Sequence, residues 1–72
     1  MAMSSKSSLA KKIETLRRKR GLSQEKLARL ADVSNNTIIN IETGLNTNPT
    51  IETLRKIAKA FDIPTEELIK NN

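Results

Sequence analysis

The sequence predicts an all-α fold, a compact bundle of five short helices. Three observations support it: apolar residues recur three or four positions apart, Ser or Thr stands where the repeating segments start, and Gly or Pro separates segments. A chain of 72 residues holds one domain, which buries only about 60% of the surface of its unfolded chain. We expect this domain to cover residues 8–70, between a flexible tail at 1–7 and a short tail at 71–72.

Each helix is predicted from a cap, an apolar stripe or a stop signal. The predicted helices cover about residues 9–20, 24–31, 35–42 and 51–61, and a last turn or two starts at Pro64 or Thr65. Gly21 and Gly44 are the stop signals of the first and third helices. Pro49 disfavours helix in the residue before it, so the turn-rich segment 45–49 is predicted to be a surface loop.

The composition argues against catalysis and against a metal site. The chain has no His, Cys, Trp or Tyr, so the commonest general base, the thiolate nucleophile and the usual zinc ligands are missing. No apolar run approaches the roughly 20 residues of a membrane span, and the first residues lack the apolar core of a signal peptide. We therefore expect a cytoplasmic protein that is not an enzyme, with no cofactor, no metal and no membrane partner.

The second and third predicted helices form one unit. Only residues 32–34 join them, and so short a link makes the two helices cross steeply around a small shared core. This arrangement is a helix-turn-helix. It is the element on which a functional prediction can be based.

A series of spaced motifs runs from helix 1 to helix 4. These motifs are Arg17, Arg20-Gly21-Leu22-Ser23-Gln24-Glu25, Leu27-Ala28, Val33-Ser34, Thr37-Ile38, Ile41-Glu42, Gly44, Pro49-Thr50, Leu54 and Ile57-Ala58. In this order and spacing they resemble the Cro and phage-repressor type of helix-turn-helix domain. The resemblance covers about residues 9–69. It implies a five-helix DNA-binding fold, usually dimeric, with helix 3 in the major groove and helix 2 across the DNA backbone.

Helix 3 is predicted to have a buried side and a reading side. Ile38 and Ile41 mark the buried side, at an advance of about 100° per residue. The candidate base-reading residues on the other side are Asn35, Asn36, Ile39 and Asn40. Asn pairs well with the adenine edge and is a poor helix former, which favours a recognition surface over the alternative, a solvated polar face. Ile39 is expected to be exposed, either against a thymine methyl or as a surface residue or protein contact.

Two helix starts and one loop supply candidate contacts to the DNA backbone. These candidates are Ser23, Gln24, Ser34, Thr37, Asn46, Thr47 and Asn48. Amide groups and the helix dipole favour an anion such as phosphate at a helix start. The resemblance implies the contact for Gln24; the alternatives are simple capping by Ser23 and a solvated Gln24. In the loop the chain departs from the family, which often has Lys or Arg there.

Three further residues are predicted to shape the domain. Arg17 flanks the apolar stripe of helix 1, and Glu42 lies near the inward side of helix 3. Domains that this chain resembles often have an ion pair here, so we predict a structural Arg17–Glu42 bridge that positions helix 3. Asp32 stands where the family frequently has Gly, and we expect it to adopt a left-handed conformation with some strain.

The positive charge is concentrated in the first third of the chain. The net charge is +5, and residues 6–20 hold seven cations and one acid. Residues 21–44 hold only Lys26 and Arg29 against three acids. Non-specific affinity for DNA should therefore rest on helix 1 and these two cations, with a modest salt dependence, although a solvated face is the alternative for helix 1.

Together these features predict a dimeric transcriptional repressor of a bacterium or its phage. Its partner would be double-stranded DNA, read as a short palindrome with half-sites about 34 Å apart. The alternative is a protein-interaction, coactivator or antitoxin module with little sequence readout. A homodimer surface is expected to share some of the C-terminal apolar residues Phe61, Ile63, Leu68 and Ile69. We expect no small-molecule effector site, and the operator sequence and the regulated genes do not follow from the sequence.

Overall fold

The computed structural model describes residues 8–70, in which all regular structure is helical. The helices are α1 (Ser8–Lys19), α2 (Gln24–Ala31), α3 (Asn35–Glu42), α4 (Ile51–Phe61) and α5 (Thr65–Ile69). The predicted all-α, five-helix architecture is confirmed. Helix α1 begins at Ser8, one residue before the predicted start. The predicted tails at 1–7 and 71–72 lie outside the described residues.

Short side chains and left-handed residues set the helix ends. The hydroxyls of Ser23, Ser34 and Thr50 each accept a hydrogen bond from a backbone N–H in the first turn of α2, α3 and α4. Asp32 and Asp62 follow α2 and α4 at φ 59° and 61°, and their N–H groups bond back into the helix they end. The expected left-handed conformation of Asp32 is confirmed.

The core lies between all five helices. Its largest fully buried side chains are Ile13, Leu27, Ile38, Ile41, Ile57, Phe61 and Leu68. α2 packs against α3 and α4, while α1 packs against α3 and α5. Among the C-terminal apolar residues, Phe61 and Leu68 belong to the core, whereas Ile69 is exposed.

Two basic side chains, Lys12 in α1 and Arg20 just after it, contact distant parts of the chain. Lys12 Nζ donates to the carbonyl oxygens of Glu67 and Lys70, at 3.1 and 2.7 Å, which attaches α5 to α1. Arg20 Nη1 donates to the carbonyl oxygen of Phe61 at 2.7 Å, and its guanidinium lies 5.4 Å from the centre of the Phe61 ring. These cations of the basic first third therefore have structural contacts. No helix within residues 8–70 is both long and apolar enough to cross a bilayer.

Candidate nucleic-acid interface

The turn between α2 and α3 consists of Asp32, Val33 and Ser34. Asp32 reverses the chain, and the N–H of Val33 donates to the carbonyl oxygen of Ala28 at 3.0 Å. Ser34 then caps α3, with its Oγ 3.1 Å from the backbone nitrogen of Thr37. Since every residue of the link is fixed by a helix cap, α2 and α3 are held at one angle. The predicted helix-turn-helix is confirmed.

The inner side of α3 is fixed to the core. Ile38 and Ile41 are fully buried, as predicted, and Glu42 is only 4% exposed at the end of the helix. A helix with three buried residues on one side cannot rotate without exposing them. The opposite side of α3 therefore has one orientation relative to the rest of the domain.

Glu42 is held by a bidentate ion pair with Arg17. Arg17 Nε donates to Glu42 Oε2 at 2.7 Å and Nη2 donates to Oε1 at 3.0 Å, while Nη1 donates to the carbonyl oxygen of Leu22 at 2.8 Å. The side chains are 11% and 4% exposed. Hydrogen bonding to Glu42 raises the pKa of Arg17 above its ordinary value despite partial desolvation. The predicted pairing of α1 with α3 is present.

Gln24 has a contact that the sequence did not indicate. Its Nε2 donates to Glu42 Oε1 at 3.0 Å, and the side chain is half-buried. The alternative of a solvated Gln24 is therefore wrong, because its amide joins the Arg17–Glu42 pair. The contact of Gln24 with the DNA backbone stays a prediction. Gln24 and Glu42 are 18 positions apart, and no spacing rule links the start of one helix to the end of the next.

The outward side of α3 consists mainly of amide side chains. Asn35 and Asn36 are exposed, while Ile39 and Asn40 are half-buried. Ile39 was expected to be exposed, and this expectation is wrong: part of its side chain is covered, which leaves a smaller apolar surface beside the amides. These four residues lie together on one short helix, and their roles in reading bases stay predictions.

Three of the hydroxyls expected at the DNA backbone have local partners. Ser34 Oγ and Thr37 Oγ1 lie 2.8 Å apart, and Ser23 Oγ accepts the N–H of Lys26 at 3.0 Å. Ser23 therefore caps α2, which was the alternative to a contact with the DNA backbone. Phosphate oxygens accept hydrogen bonds, so a capping hydroxyl can bind a phosphate only by donating its own hydrogen.

The loop after α3 folds back onto that helix. The N–H of Asn46 donates to the carbonyl oxygen of Asn40 at 2.9 Å, and Asn46 Oδ1 accepts the N–H of Asn48 at 3.0 Å. Asn46, Thr47 and Asn48 are all exposed. Because Oδ1 of Asn46 is used within the loop, its amide NH₂ remains as the group that can donate outward. Asn46, Thr47 and Asn48 thus add exposed polar side chains beside the end of α3.

A family model described as helix-turn-helix matches residues 13–68, which include all of α2, α3 and α4. The match covers most of the chain. The chain belongs to the helix-turn-helix family.

Two curated relatives of this helix-turn-helix chain are bacterial or phage regulators by name. The cryptic phage CTXphi transcriptional repressor RstR of Vibrio cholerae is 38% identical over 61 residues, which are 85% of this chain and 54% of RstR. The HTH-type transcriptional regulator SinR of Bacillus subtilis is 31% identical over 61 residues, which are 85% of this chain and 55% of SinR. The chain spans about half the length of the curated relatives it matches.

Solved structures of SinR have the same fold as this helix-turn-helix chain. The N-terminal DNA binding domain of SinR superposes with a TM-score of 0.84 at 30% identity and covers 89% of this chain and 93% of that domain. A crystal structure of SinR in complex with DNA superposes with a TM-score of 0.82 at 31% identity and covers 86% of this chain and 98% of that one. The predicted resemblance to repressor-type helix-turn-helix domains is confirmed.

One exposed apolar residue near the helix-turn-helix was missed. Leu45 is 78% exposed in the loop directly after Gly44. The sequence signal for its exposure was an isolated Leu in a turn-rich segment, outside any helical stripe.

Within residues 8–70, no group of acidic side chains is arranged to hold a metal ion.

Proposed function

We propose that this chain binds duplex DNA with α3 in the major groove. The observation that carries the proposal is the two-sided character of α3: Ile38, Ile41 and Glu42 are buried, and the outward side presents Asn35 and Asn36 to solvent. An α-helix fits the major groove, where Asn offers adenine one donor and one acceptor. Because its buried residues fix the orientation of α3, the amides have their orientation already in the free protein.

We propose that the base-reading side chains are Asn35, Asn36, Ile39 and Asn40. The two exposed Asn residues lie in the first turn of α3, the end that enters the groove in helix-turn-helix proteins. Asn40 lies beside the loop, to which its carbonyl is bonded. Ile39 offers a reduced apolar surface for a thymine methyl.

The phosphate contacts are proposed to flank this reading helix on both sides. On one side they come from Ser23 and Gln24 at the start of α2, with Ser34 and Thr37 at the start of α3. On the other side they come from the loop, through the donors of Asn46, Thr47 and Asn48. This loop has no cation, so the salt dependence of binding should be modest.

We propose a non-enzymatic role as a transcriptional regulator that binds a short palindrome as a homodimer. The names of RstR and SinR support regulation, and the DNA complex of SinR supports binding to duplex DNA. A palindrome follows from two-fold symmetry, with half-sites about 34 Å apart. Because bacterial operators lie in the cytoplasm, we propose a cytoplasmic location.

A second candidate function is docking to a protein partner. The observation that favours it is the exposure of large apolar side chains at Leu30, Leu45, Ile51 and Ile69, none of which the proposed DNA contacts use. SinR was also solved in a complex with the protein SinI. This function is compatible with DNA binding on another side of the domain.

The deciding experiment is selection of a random duplex library, followed by anisotropy titration of the enriched site and of scrambled DNA at several salt concentrations. We expect a palindrome with A·T steps, whose binding is lost on Asn36→Ala or Asn40→Ala. Thr15→Ala, which removes an exposed hydroxyl in the groove between α1 and α5, is the control and should change nothing. Absence of any enriched sequence would refute specific readout and favour the protein-partner function.

A further inference from the structure

The carboxylate of Glu42 connects three separate parts of the helix-turn-helix. Its Oε1 accepts from Gln24 Nε2 and Arg17 Nη2, each at 3.0 Å, and its Oε2 accepts from Arg17 Nε at 2.7 Å. Arg17 in turn donates to the carbonyl oxygen of Leu22, just before α2. Among the described residues, no buried polar side-chain atom lacks a hydrogen-bond partner. Every buried polar atom of this network therefore has a partner without DNA.

Gln24 and Glu42 connect α2 to α3 at the ends of these helices that lie away from the turn. Gln24 is the first residue of α2 and Glu42 is the last residue of α3. The other ends of the two helices are joined covalently by residues 32–34. α2 is about 12 Å long, so a tilt of about 5° around the turn would move its start by about 1 Å. The contact between Gln24 and Glu42 opposes that tilt.

We propose that Gln24 is a positioning residue that holds the start of α2 in register with the reading helix α3 through Glu42. This inference rests on the proposed function. If the start of α2 binds phosphate and α3 reads bases, the distance between them must match the distance between a phosphate and the base edges. One hydrogen of the Gln24 amide is used on Glu42, so at most one remains for DNA. Specificity, rather than general affinity, then depends on Gln24.

The test is Gln24→Met, which keeps the length of the side chain and its helix propensity but removes its hydrogen bonds. We expect the affinity for the selected operator to fall about tenfold, the scale of one hydrogen bond to a charged group, with little change for scrambled DNA. A phosphate ligand alone would weaken binding to both DNAs equally. Lys26→Met, in the same turn, is the matched control. Removal of a cation that contacts only phosphate should lower the affinities for operator and scrambled DNA together.

Two further measurements separate the possible results. NMR should show one Gln24 side-chain amide proton protected from exchange both in the free protein and on the operator, and its loss on DNA binding would overturn the proposal. Thermal unfolding of Gln24→Met shows whether the variant is folded at the titration temperature. Equal loss on both DNAs would overturn the positioning role alone. A wild-type protein without preference between the DNAs would overturn the proposed function and this inference together.

Discussion

Replacement of Glu42 by Gln is the sharpest test of how α3 is held. Glu42 accepts three hydrogen bonds, two from Arg17 and one from Gln24. Gln at position 42 keeps one acceptor oxygen and places an NH₂ group where the second oxygen was. That NH₂ faces donors, so at least one charge-assisted hydrogen bond is lost. Arg17 then loses its counter-charge while it is only 11% exposed.

The expected cost is about 3 kcal/mol of unfolding free energy. Hydrogen bonds to charged groups contribute about 1.5–3 kcal/mol each, and removal of one partner of a buried ion pair costs about 3–5 kcal/mol. We take the lower end because Arg17 keeps its bond to the carbonyl oxygen of Leu22. For a domain of this size, 3 kcal/mol lowers Tm by roughly 12–24 °C. Because the end of α3 is released, operator binding should weaken as well.

The assay is thermal unfolding followed by circular dichroism, with anisotropy titration of the operator below the Tm of the variant. Glu25→Gln is the matched control, because it breaks the exposed Arg29–Glu25 pair and should cost less than about 1 kcal/mol. A Tm of Glu42→Gln within a few degrees of wild type, together with unchanged DNA binding, would refute the reasoning. The pKa of Arg17 is raised on folding, so its contribution is lost only when pH rises through that value, and it should stay constant from about pH 6 to pH 9.

Three other changes have defined outcomes. Asp32→Gly should stabilise the domain by about 0.5–1 kcal/mol, measured as a higher Tm, because glycine adopts φ 59° without steric cost and the change removes an acid from a helix C-terminus. Arg20→Met should destabilise the domain by about 1–2 kcal/mol in urea unfolding, because the bond to the carbonyl oxygen of Phe61 and the cation–π contact are lost. Ile39→Ala should weaken binding to a thymine-containing operator by about 1 kcal/mol in anisotropy titrations, and less when that thymine is uracil, which lacks the methyl group.

Each of these predictions has a result that contradicts it. A lower Tm for Asp32→Gly would mean that the carboxylate makes a contact worth more than the backbone strain. Unchanged urea stability of Arg20→Met would mean that this exposed guanidinium exchanges its protein contacts for water. Equal losses of Ile39→Ala on thymine and uracil operators would exclude the methyl contact.

The boundaries of the helices could be predicted because local signals set them. The caps Ser23, Ser34 and Thr50 compete for the free N–H groups of a helix start wherever the chain goes, and their hydrogen bonds were found as expected. The burial of Ile38 and Ile41 follows from periodicity in the same way. The Arg17–Glu42 pair was predicted from the positions of both residues beside the apolar stripes together with the resemblance to a family.

The candidate site was only partly predictable. The amide face of α3 follows from the helical period, but how much of Ile39 is covered depends on neighbours that the period does not specify. The contact of Asn46 with phosphate stays a prediction, and the sequence did not indicate that its Oδ1 accepts the N–H of Asn48. Such choices depend on competition between nearby donors and acceptors in three dimensions.

By itself, the sequence determined the fold class, the five helices, the helix-turn-helix and the side of α3 that faces outward. These features depend on interactions within about four residues and on the separation of apolar from polar side chains, both of which can be read along a chain. Only the tertiary structure decided that Gln24 donates to Glu42, and that Arg20 contacts Phe61. Those contacts join residues 18 and 41 positions apart, and they form because packing of the core brings unrelated helix ends within hydrogen-bond distance.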